Sequence, residues 1–447
     1  MRWLWRSLRR LEHHDTSMSR QPAYPERSQY PGMRSPQVLI IAPHGSYRTS
    51  AYIQAAKQQQ CDVLIASQAR NSIVSEYAAG LHVDLGDQNQ ALAAILAAAE
   101  QRPFTGIIAT DDSTTELATR VASQLGLPHN PLASVRLASR KDLARMRLSQ
   151  HAVNIPKFRC LDLTASLVEQ CQGLDYPCVI KPVSLSASRG VIRVNNFAEL
   201  QQARHRIENI LASEDDLTEE VRHTLLVEQF IPGQEVAVEA MLYQGELEIL
   251  TIFDKPDPMN GPFFEETYYL SPTRFSALIQ AQIQQQVEMA CRAYGLEEGP
   301  VHAECRINEM GVWILEIAAR TIGGLCGQLL RFGTGYSLEE LVLAHARGQR
   351  LALSRQDEAA GVLMIPIPEA GVLKRIEGLL AVQAIPLIED VNIQIREGYE
   401  LVPLPEGGNY LGFIFARGEN IGEVEQALRA AHACLKIVTT PLWKIKS

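Results

Sequence analysis

The sequence predicts a mixed α/β and α+β protein of three parts behind a short extension. Continuous apolar runs near the N terminus, separated by helical patterns, are typical of a parallel sheet with helices on both faces. Alternating apolar and polar runs further along indicate antiparallel strands. The length of 447 residues exceeds one ordinary hydrophobic core. We expect a disordered basic extension over 1–35, a Rossmann-like domain over 36–135, a central α+β region over 136–352 and a small α+β C-terminal module over 353–447.

Three apolar runs form the expected parallel strands of the N-terminal domain. They are Val38–Ala42, Asp62–Ala66 and Gly106–Thr110. A helix is predicted after the third run, because Asp111–Glu116 has the pattern of a capping box and Gly126 suits a helix end. No Gly-x-Gly-x-x-Gly motif follows the first run, so the sequence does not indicate a nicotinamide cofactor.

The composition excludes several classes of function. A net charge of −9 argues against nucleic-acid binding, which needs an excess of Lys and Arg. The sequence has no run of ~18 apolar residues, so no membrane span is expected. Eight scattered cysteines without a Cys-x-x-Cys pair are typical of reduced cytoplasmic thiols. We therefore expect a cytoplasmic protein that acts on small molecules.

Residues 1–35 differ from the rest of the chain in being basic and rich in proline. They lack the apolar stretch of a secretory signal. A disordered tail, or a start codon upstream of a true start at Met18 or Met33, is favoured over a short helix that touches a membrane.

The most informative stretch contains two alternating runs, Val301–Asn308 and Val312–Arg320. The break between them, Glu309–Gly311, suits a three-residue hairpin turn. This turn predicts the following cross-strand pairs: Asn308 with Val312, Arg306 with Ile314, Glu304 with Glu316, and His302 with Ala318.

The pairing of Glu304 with Glu316 brings two carboxylates together on one face of the hairpin. Cross-strand Cβ atoms lie roughly 5 Å apart, and like charges so placed repel unless a cation lies between them. Mg²⁺ suits such a pair, because it usually takes one or two carboxylates plus substrate phosphates. The alternative is that both glutamates simply face water. Arg320 and the pair Gly323 and Gly324 favour a site, since they add a fixed cation and open backbone amides for an anion.

Further segments upstream carry polar groups suited to a phosphate ligand. A helix begins near Lys141, whose cation in the first turn opposes the helix dipole. A strand that contains Lys181 and a second strand, 191–194, enclose the serine-rich loop 184–190, which is suited to closing over phosphates. The loop lacks the Gly-Lys-Ser/Thr ending of a P-loop.

Two more segments predict parts of a cleft. Glu228 and Glu235 flank a Pro-Gly corner between two strands, so both can line one cleft, although either can equally lie at the surface. The aromatic-rich loop 253–272 suggests a binding surface. The C-terminal module has short β runs over 361–415 and a capped helix that starts near Asn420, and it contains no concentrated chemical motif.

In this order the segments resemble the ATP-grasp superfamily, from about Val38 to the C terminus. Within it the chain is most similar to the carboxylate-amine ligases typified by L-amino-acid ligases. The resemblance implies a Rossmann-like pre-ATP-grasp domain, then an ATP-grasp domain of two α+β subdomains with its lid subdomain at about 145–230. The motifs that carry it are Lys141, Val179–Pro182, Ser184–Gly190, Val227–Glu235, His302–Glu304, Leu315–Arg320 and Gly323-Gly324.

The resemblance also implies a role for each motif residue. ATP would lie between the two subdomains, with Mg²⁺, or Mn²⁺ as a substitute, at its phosphates. The implied ATP-binding residues are Lys141 and Lys181 for the phosphates, Ser188, Arg189 and Gly190 for the lid, Glu228, Phe230 and Ile231 for the adenine edge, and Glu235 for the ribose. The implied metal ligands are Glu304 and Glu316, and the implied catalytic groups are Arg320 with the amides near Gly323 and Gly324.

The chain departs from the family pattern at two places. Ala318 replaces an asparagine that often serves as a metal ligand. The substrate-loop pattern of Glu, then His, then Pro reads Glu266, Tyr269 and Pro272 here. A tyrosine with a pKa near 10 is a poor base at neutral pH, so Tyr269 is expected to position substrate. His302 is a candidate base beside Glu304, and a purely structural hydrogen-bonding role for it is equally open.

The leading hypothesis is an ATP-dependent ligase that joins a carboxylate to an amine, of amino-acid type, and releases ADP and phosphate. One alternative is an enzyme nearer the biotin-carboxylase or purine-pathway members of the superfamily. A second alternative is a non-catalytic, ATP-binding regulatory protein. The expected partners are a small-molecule carboxylate and amine, and a homodimer is the default oligomer.

Overall fold

The computed structural model describes residues 37–44, 46–68, 79–214, 217–353 and 358–442. The extension expected over 1–35 lies outside these residues. The described residues contain four β-sheets with helices packed against them, and the predicted fold class is confirmed. Within these ranges, no helix combines the length and the apolar composition that a membrane crossing requires.

The N-terminal layer is the predicted parallel sheet. It consists of β1 (Gln37–Ile41), β2 (Asp62–Ser67), β3 (Ala79–His82), β4 (Gly106–Ala109), α1 (Arg48–Gln58), α2 (Gln88–Gln101) and α3 (Asp112–Leu125). The parallel strands lie in the order β3-β2-β1-β4. Val38 and Ile40 pack into one apolar cluster, whereas Leu39 and Ile41 pack into another. Strand β1 is therefore buried on both faces, which explains its unbroken apolar run.

A second sheet, called the lid sheet below, follows the N-terminal layer. Two helices lead into it, α4 (Leu132–Ser139) and α5 (Lys141–Leu148). The lid sheet and its helices are β5 (Phe158–Asp162), α6 (Leu167–Gln170), β6 (Cys178–Pro182), β7 (Ile192–Val194), α7 (Phe197–Ala212), α8 (Glu219–Arg222) and β8 (Thr224–Gln229). Its antiparallel order is β5-β8-β6-β7. The hairpin predicted around loop 184–190 is confirmed, because β6 pairs with β7.

A third sheet, called the central sheet, begins directly after the Pro-Gly corner that follows β8. Its first strands and the helices beside them are β9 (Gln234–Tyr243), β10 (Glu246–Lys255), β11 (Tyr268–Ser271), α9 (Ala277–Tyr294), β12 (Gly299–Asn308), β13 (Gly311–Ala318), α10 (Leu330–Thr334) and α11 (Leu338–Ala346). A short 3₁₀ turn, Cys326–Leu329, precedes α10. These strands are antiparallel in the order β13-β12-β9-β10-β11.

The C-terminal part of the chain continues the central sheet. Its elements are β14 (Ala359–Ile365), β15 (Gly371–Glu377), α12 (Leu379–Gln383), β16 (Ile388–Ile393), β17 (Glu400–Leu401), β18 (Gly412–Gly418), α13 (Ile421–Cys434) and β19 (Lys436–Thr440). Strands β14, β18 and β16 extend the central sheet beyond β11, while β17, β15 and β19 form a separate sheet. The predicted module at 353–447 thus shares a sheet with the region before it. Helix α13 starts after Asn420, as predicted.

Candidate active site

A cavity of about 720 Å³ brings the predicted site residues together. Its walls come from the N-terminal layer, the lid sheet, the central sheet and the C-terminal strands. Of the residues predicted for a site, all except Gly190 line this cavity. Segments that lie far apart in the sequence therefore meet at one place.

The acidic hairpin has the predicted pairing at the end that lies away from the turn. Glu304 lies opposite Glu316, and His302 lies opposite Ala318. The predicted three-residue turn is wrong, because Asn308 pairs with Gly311 and the turn has two residues. Asn308 Oδ1 accepts a hydrogen bond from the Met310 N–H at 3.0 Å, which stabilises this tighter turn.

The predicted pairs of Asn308 with Val312 and of Arg306 with Ile314 are therefore also wrong. Arg306 lies opposite Trp313 instead. A β-bulge between Glu304 and Cys305 then takes up one residue and restores the register. The short turn and the bulge compensate each other, so the two glutamates still face one another.

Lys141 joins three parts of the cavity. Its Nζ donates to the Leu185 carbonyl of the lid loop at 2.8 Å and lies 3.3 Å from Glu316 Oε1. Its position in the first turn of α5, as predicted, directs the cation into the cavity. An anion bound there would meet a lysine that is already held in place.

Glu228 is the centre of a buried ion cluster. Lys181 Nζ lies 2.5 Å from Glu228 Oε2, and Arg145 Nε donates to Oε1 at 2.5 Å. Burial raises the pKa of Glu228, but Arg145 and Lys181 outweigh it and lower the pKa below its usual value. Burial lowers the pKa of Lys181, and Glu228 offsets part of that effect. Arg145 was not predicted, although its spacing of four residues from Lys141 puts both on one helix face.

A second ion cluster surrounds Lys255, another residue that was not predicted to be part of the site. Lys255 Nζ lies 2.7 Å from Glu235 Oε1 and 3.5 Å from Glu304 Oε1, and it also contacts Glu266. Burial lowers the pKa of Lys255, but the three carboxylates outweigh it and hold the pKa well above its usual value. Lys255 lies directly opposite Glu235 in the register of β9 and β10, so only the strand pairing reveals its place.

The oxygen atoms of this second cluster suit a divalent cation. Carboxylate oxygens of Glu235, Glu266 and Glu304 lie within 4.8 Å of one another. An all-oxygen set that opens onto a cavity is the kind of donor set that Mg²⁺ takes together with phosphate oxygens. Glu304 is common to this cluster and to the predicted pair, whereas Glu316 contacts Lys141.

Glu235 is more enclosed than a simple ribose contact suggests. Its Oε1 contacts Lys255, and its Oε2 accepts from Arg306 Nε at 2.9 Å. Arg306 also donates to the Ile231 carbonyl at 2.6 Å, and its guanidinium lies 5.0 Å from the centre of the Phe230 ring. Phe230 stacks with Phe264, with 6.5 Å between the ring centres. The apolar part of the cavity therefore lies beside the Pro-Gly corner, next to the residues predicted for the adenine edge.

His302 is buried between two carboxylates. Its Nδ1 lies 2.5 Å from Glu239 Oε1, and its Nε2 lies 3.7 Å from Glu304 Oε1. Burial lowers the pKa of His302, but the two carboxylates outweigh it and raise the pKa to about 9. The imidazole is therefore protonated at neutral pH, a state that suits a hydrogen-bond donor rather than a base. Glu239, which was not predicted, also accepts from the Ile322 N–H at 3.1 Å.

Tyr269 lies in the cavity wall as a packed aromatic ring. It stacks on Phe253 with 5.7 Å between ring centres, and Lys255 Nζ lies 5.4 Å from the centre of the Tyr269 ring. Burial, with Glu266 and Glu304 nearby, raises the pKa of Tyr269 well above 10. The hydroxyl stays protonated at neutral pH, in agreement with the expectation that it is not a base.

The N-terminal layer supplies the partners of Arg320 and of the glycine pair. Arg320 Nε donates to Asp112 Oδ2 at 2.8 Å. The Gly324 N–H donates to the Tyr47 hydroxyl at 2.6 Å. Arg48 Nη1 donates to Asp111 Oδ1 at 2.6 Å, and its Nη2 donates to the Ile322 carbonyl at 3.1 Å. Long-range contacts therefore orient this end of the site, and no local motif predicted them.

Two family models match the chain. An ATP-grasp domain model matches residues 174–328, so this part of the chain is an ATP-grasp domain. The match over residues 363–440 is more specific, since it is to the L-amino acid ligase C-terminal domain 2. The resemblance given by the sequence motifs is thus confirmed.

A solved structure and two curated proteins show the same relationship. The L-amino acid ligase from Bacillus licheniformis is 25% identical, with a TM-score of 0.80, over 91% of this chain and 100% of that chain. Carnosine synthase 1 of Homo sapiens is 24% identical over 349 residues, which are 74% of this chain and 42% of that protein. A D-alanine--D-alanine ligase of Bordetella petrii is 28% identical over 229 residues, 48% of this chain and 64% of that ligase. The matches span less than two thirds of the length of either curated relative.

Proposed function

We propose that this protein is an ATP-dependent ligase that joins a carboxylate to an amine and releases ADP and phosphate. The observation that carries the proposal is the meeting of Lys141, Lys181, Glu304 and Arg320 in one cavity. The names of the relatives support an amino-acid type of substrate, since they include an L-amino acid ligase and a D-alanine--D-alanine ligase. The products would be a dipeptide or a related amide.

The nucleotide is proposed to lie under the lid, with its base in the apolar part of the cavity. Phe230 and Ile231, at the corner between the two sheets, would contact the adenine, and Glu228 would fix Lys181 beside it. Each carboxylate oxygen of Glu235 already accepts one hydrogen bond, from Lys255 or from Arg306. Glu235 would therefore bind the ribose through a remaining lone pair of one of these oxygens. Lys141 and Lys181 would contact the phosphates, and Ser188, Arg189 and Gly190 would cover them.

The metal ion is proposed to bind at Glu304, with Mg²⁺ preferred and Mn²⁺ as a substitute. Glu316, which lies opposite Glu304 across the hairpin, and Glu235 or Glu266 would be the further ligands. When bound, the ion would neutralise phosphate charge during phosphoryl transfer. Lys255 already balances part of the negative charge of these carboxylates.

The first chemical step is transfer of the γ-phosphoryl group to the substrate carboxylate. A carboxylate oxygen attacks the γ-phosphorus, the bond to the β-phosphate bridge oxygen breaks, and ADP leaves. Lys141, Lys181 and Arg320 would spread the charge that develops. Arg320 is well suited to this role, because Asp112 and the Thr321 carbonyl fix its guanidinium before substrate binds.

In the second step the amine nitrogen attacks the acyl carbon, the carbon–oxygen bond to the phosphoryl group breaks, and the amide forms as phosphate leaves with the proton lost by the amine. Arg320 and the amides near Gly323 and Gly324 would stabilise the oxyanion. The Gly324 N–H can do so only after it leaves the Tyr47 hydroxyl. His302 and Tyr269 are protonated near neutral pH, so we propose that they hold substrate rather than accept the amine proton.

A cytoplasmic location and a homodimer remain part of the proposal. None of the eight cysteines, all of which lie within the described residues, forms a disulfide, which fits a reducing compartment.

The test is a phosphate-release screen with ATP, Mg²⁺ and amino acids, offered singly and in pairs. We expect turnover that requires two amino acids, or an amino acid and another amine. The Glu316→Ala variant should lose at least about 100-fold in rate, since it removes a proposed ligand and the partner of Lys141. Glu309→Ala, at the exposed tip of the same hairpin, is the matched control. Release that requires bicarbonate, or no release with any acceptor, would contradict the proposal.

A further inference from the structure

The lid loop 184–190 is held by a part of the chain to which no site residue was assigned. The Gly190 N–H donates to the Pro405 carbonyl at 2.9 Å. Arg189 Nε donates to the Glu406 carbonyl at 3.0 Å. Pro405 and Glu406 lie in the C-terminal part of the chain, between β17 and β18.

The close approach of these two segments depends on a glycine. A Cβ atom at Gly408 would lie 2.7 Å from Arg189 Cδ and 3.2 Å from Ala187 Cβ. Only a residue without a side chain lets the lid loop lie this close to the C-terminal loop. We call residues 403–408 the clasp loop.

Glu406 ties the clasp loop to the helix of the lid as well. Its carboxylate forms a two-point ion pair with Arg206 on α7, in which Arg206 Nη2 donates to Oε2 at 2.9 Å and Nε contacts Oε1. The guanidinium of Arg206 also lies 4.8 Å from the centre of the Phe263 ring. One glutamate therefore contacts the lid loop through its backbone and the lid helix through its side chain.

The strength of this contact suits a lid that must open. Arg206 and Glu406 keep 43% and 39% of their side chains exposed, so water screens the pair. Exposed ion pairs contribute little, although a two-point Arg–carboxylate geometry is the favourable case. The clasp loop can hold the lid loop closed during the reaction and let it open afterwards.

We infer that Glu406 is a positioning residue, which keeps the lid over the nucleotide by pairing with Arg206. This inference rests on the proposed ligase function, because a closed lid matters most when an acyl phosphate must be kept from water. A looser lid would admit water to that intermediate. ATP would then be consumed without amide formation.

The first experiment measures amide hydrogen exchange of the segment 184–190. In Glu406→Gln we expect exchange about two- to fivefold faster than in the wild-type protein, the range that an exposed ion pair corresponds to. Glu377→Gln is the matched control, because Glu377 pairs with Arg375, is also 39% exposed in its side chain and lies in the separate sheet. Equal exchange in both variants would overturn the inference.

A charge-swapped protein tests the ion pair itself. Arg206→Glu combined with Glu406→Arg should return the exchange of the lid loop to within about twofold of the wild-type rate. If Glu406→Gln accelerates exchange and the swap does not restore it, the pair is not the cause and the inference is overturned.

The second experiment measures phosphate released per amide formed. Glu406→Gln should raise this ratio at least about twofold and raise the KM for ATP, with a smaller change in kcat. An unchanged ratio in an active enzyme would overturn the inference. Hydrogen exchange does not require turnover. If the wild-type protein has no ligase activity, the proposed function is refuted, while hydrogen exchange still tests the contact between the clasp loop and the lid loop.

Discussion

The two ion clusters of the cavity have opposite charge balance. At Glu228, two cations, Arg145 and Lys181, surround one carboxylate. At Lys255, three carboxylates, Glu235, Glu266 and Glu304, surround one cation. The first cluster has more cations than carboxylates and suits phosphate. Around the second, Arg306 and the protonated His302 also contact carboxylates, and Glu239 adds a fourth carboxylate. Four carboxylates against three cations leave a smaller excess of negative charge, which suits a metal ion or an ammonium group. One cavity can therefore bind both ends of a metal-nucleotide complex.

The largest expected effect on activity is that of removing Lys181, one of the two cations of the first cluster. Lys181→Met should lower kcat/KM for ATP by about 100-fold or more, because the phosphates lose a fixed charge on a buried lysine. Steady-state kinetics measures the loss. Lys157→Met, an exposed lysine near the start of the lid sheet, is the control. A loss of less than about threefold would contradict the proposed contact between Lys181 and the phosphates.

The largest expected effect on stability is that of removing Lys255, the lysine of the second cluster. In Lys255→Met, three carboxylates lose their shared partner, and the free energy of unfolding should fall by about 3 kcal/mol. Urea denaturation measures it, with and without Mg²⁺. Added Mg²⁺ should recover part of the loss, because a divalent ion can replace the missing charge.

The exposed Lys374→Met should show neither the loss nor the recovery. Equal stability of Lys255→Met and the wild-type protein would contradict the second cluster as described. If added Mg²⁺ does not change the loss of stability, the proposed metal site in the second cluster is contradicted.

The parts of the site that lie close in sequence could be predicted. Alternation together with the assumed turn put Glu304 opposite Glu316, and this pairing survived the error in the turn because the bulge compensated it. Lys141 and Lys181 were found because each lies at a helix start or strand end beside polar residues. In each case the residues of one helix or strand and of the segment next to it were enough for the prediction.

The parts that depend on distant contacts could not be predicted. Lys255 becomes a site residue only through the register that sets it opposite Glu235. Asp112 meets Arg320 from 208 positions away in the sequence. The C-terminal strands join the central sheet through β11 and β14, whose pairing no local pattern specifies. Contacts of this kind follow from how sheets assemble rather than from residue spacing.

The most direct test of the central claim follows the oxygen atoms of the substrate carboxylate. An amino acid labelled with ¹⁸O in its carboxylate is incubated with ATP, Mg²⁺, an amine acceptor and the enzyme, and the released phosphate is examined by mass spectrometry. Activation as an acyl phosphate predicts one ¹⁸O atom in the phosphate for each amide formed. Amide formation with unlabelled phosphate would contradict this account.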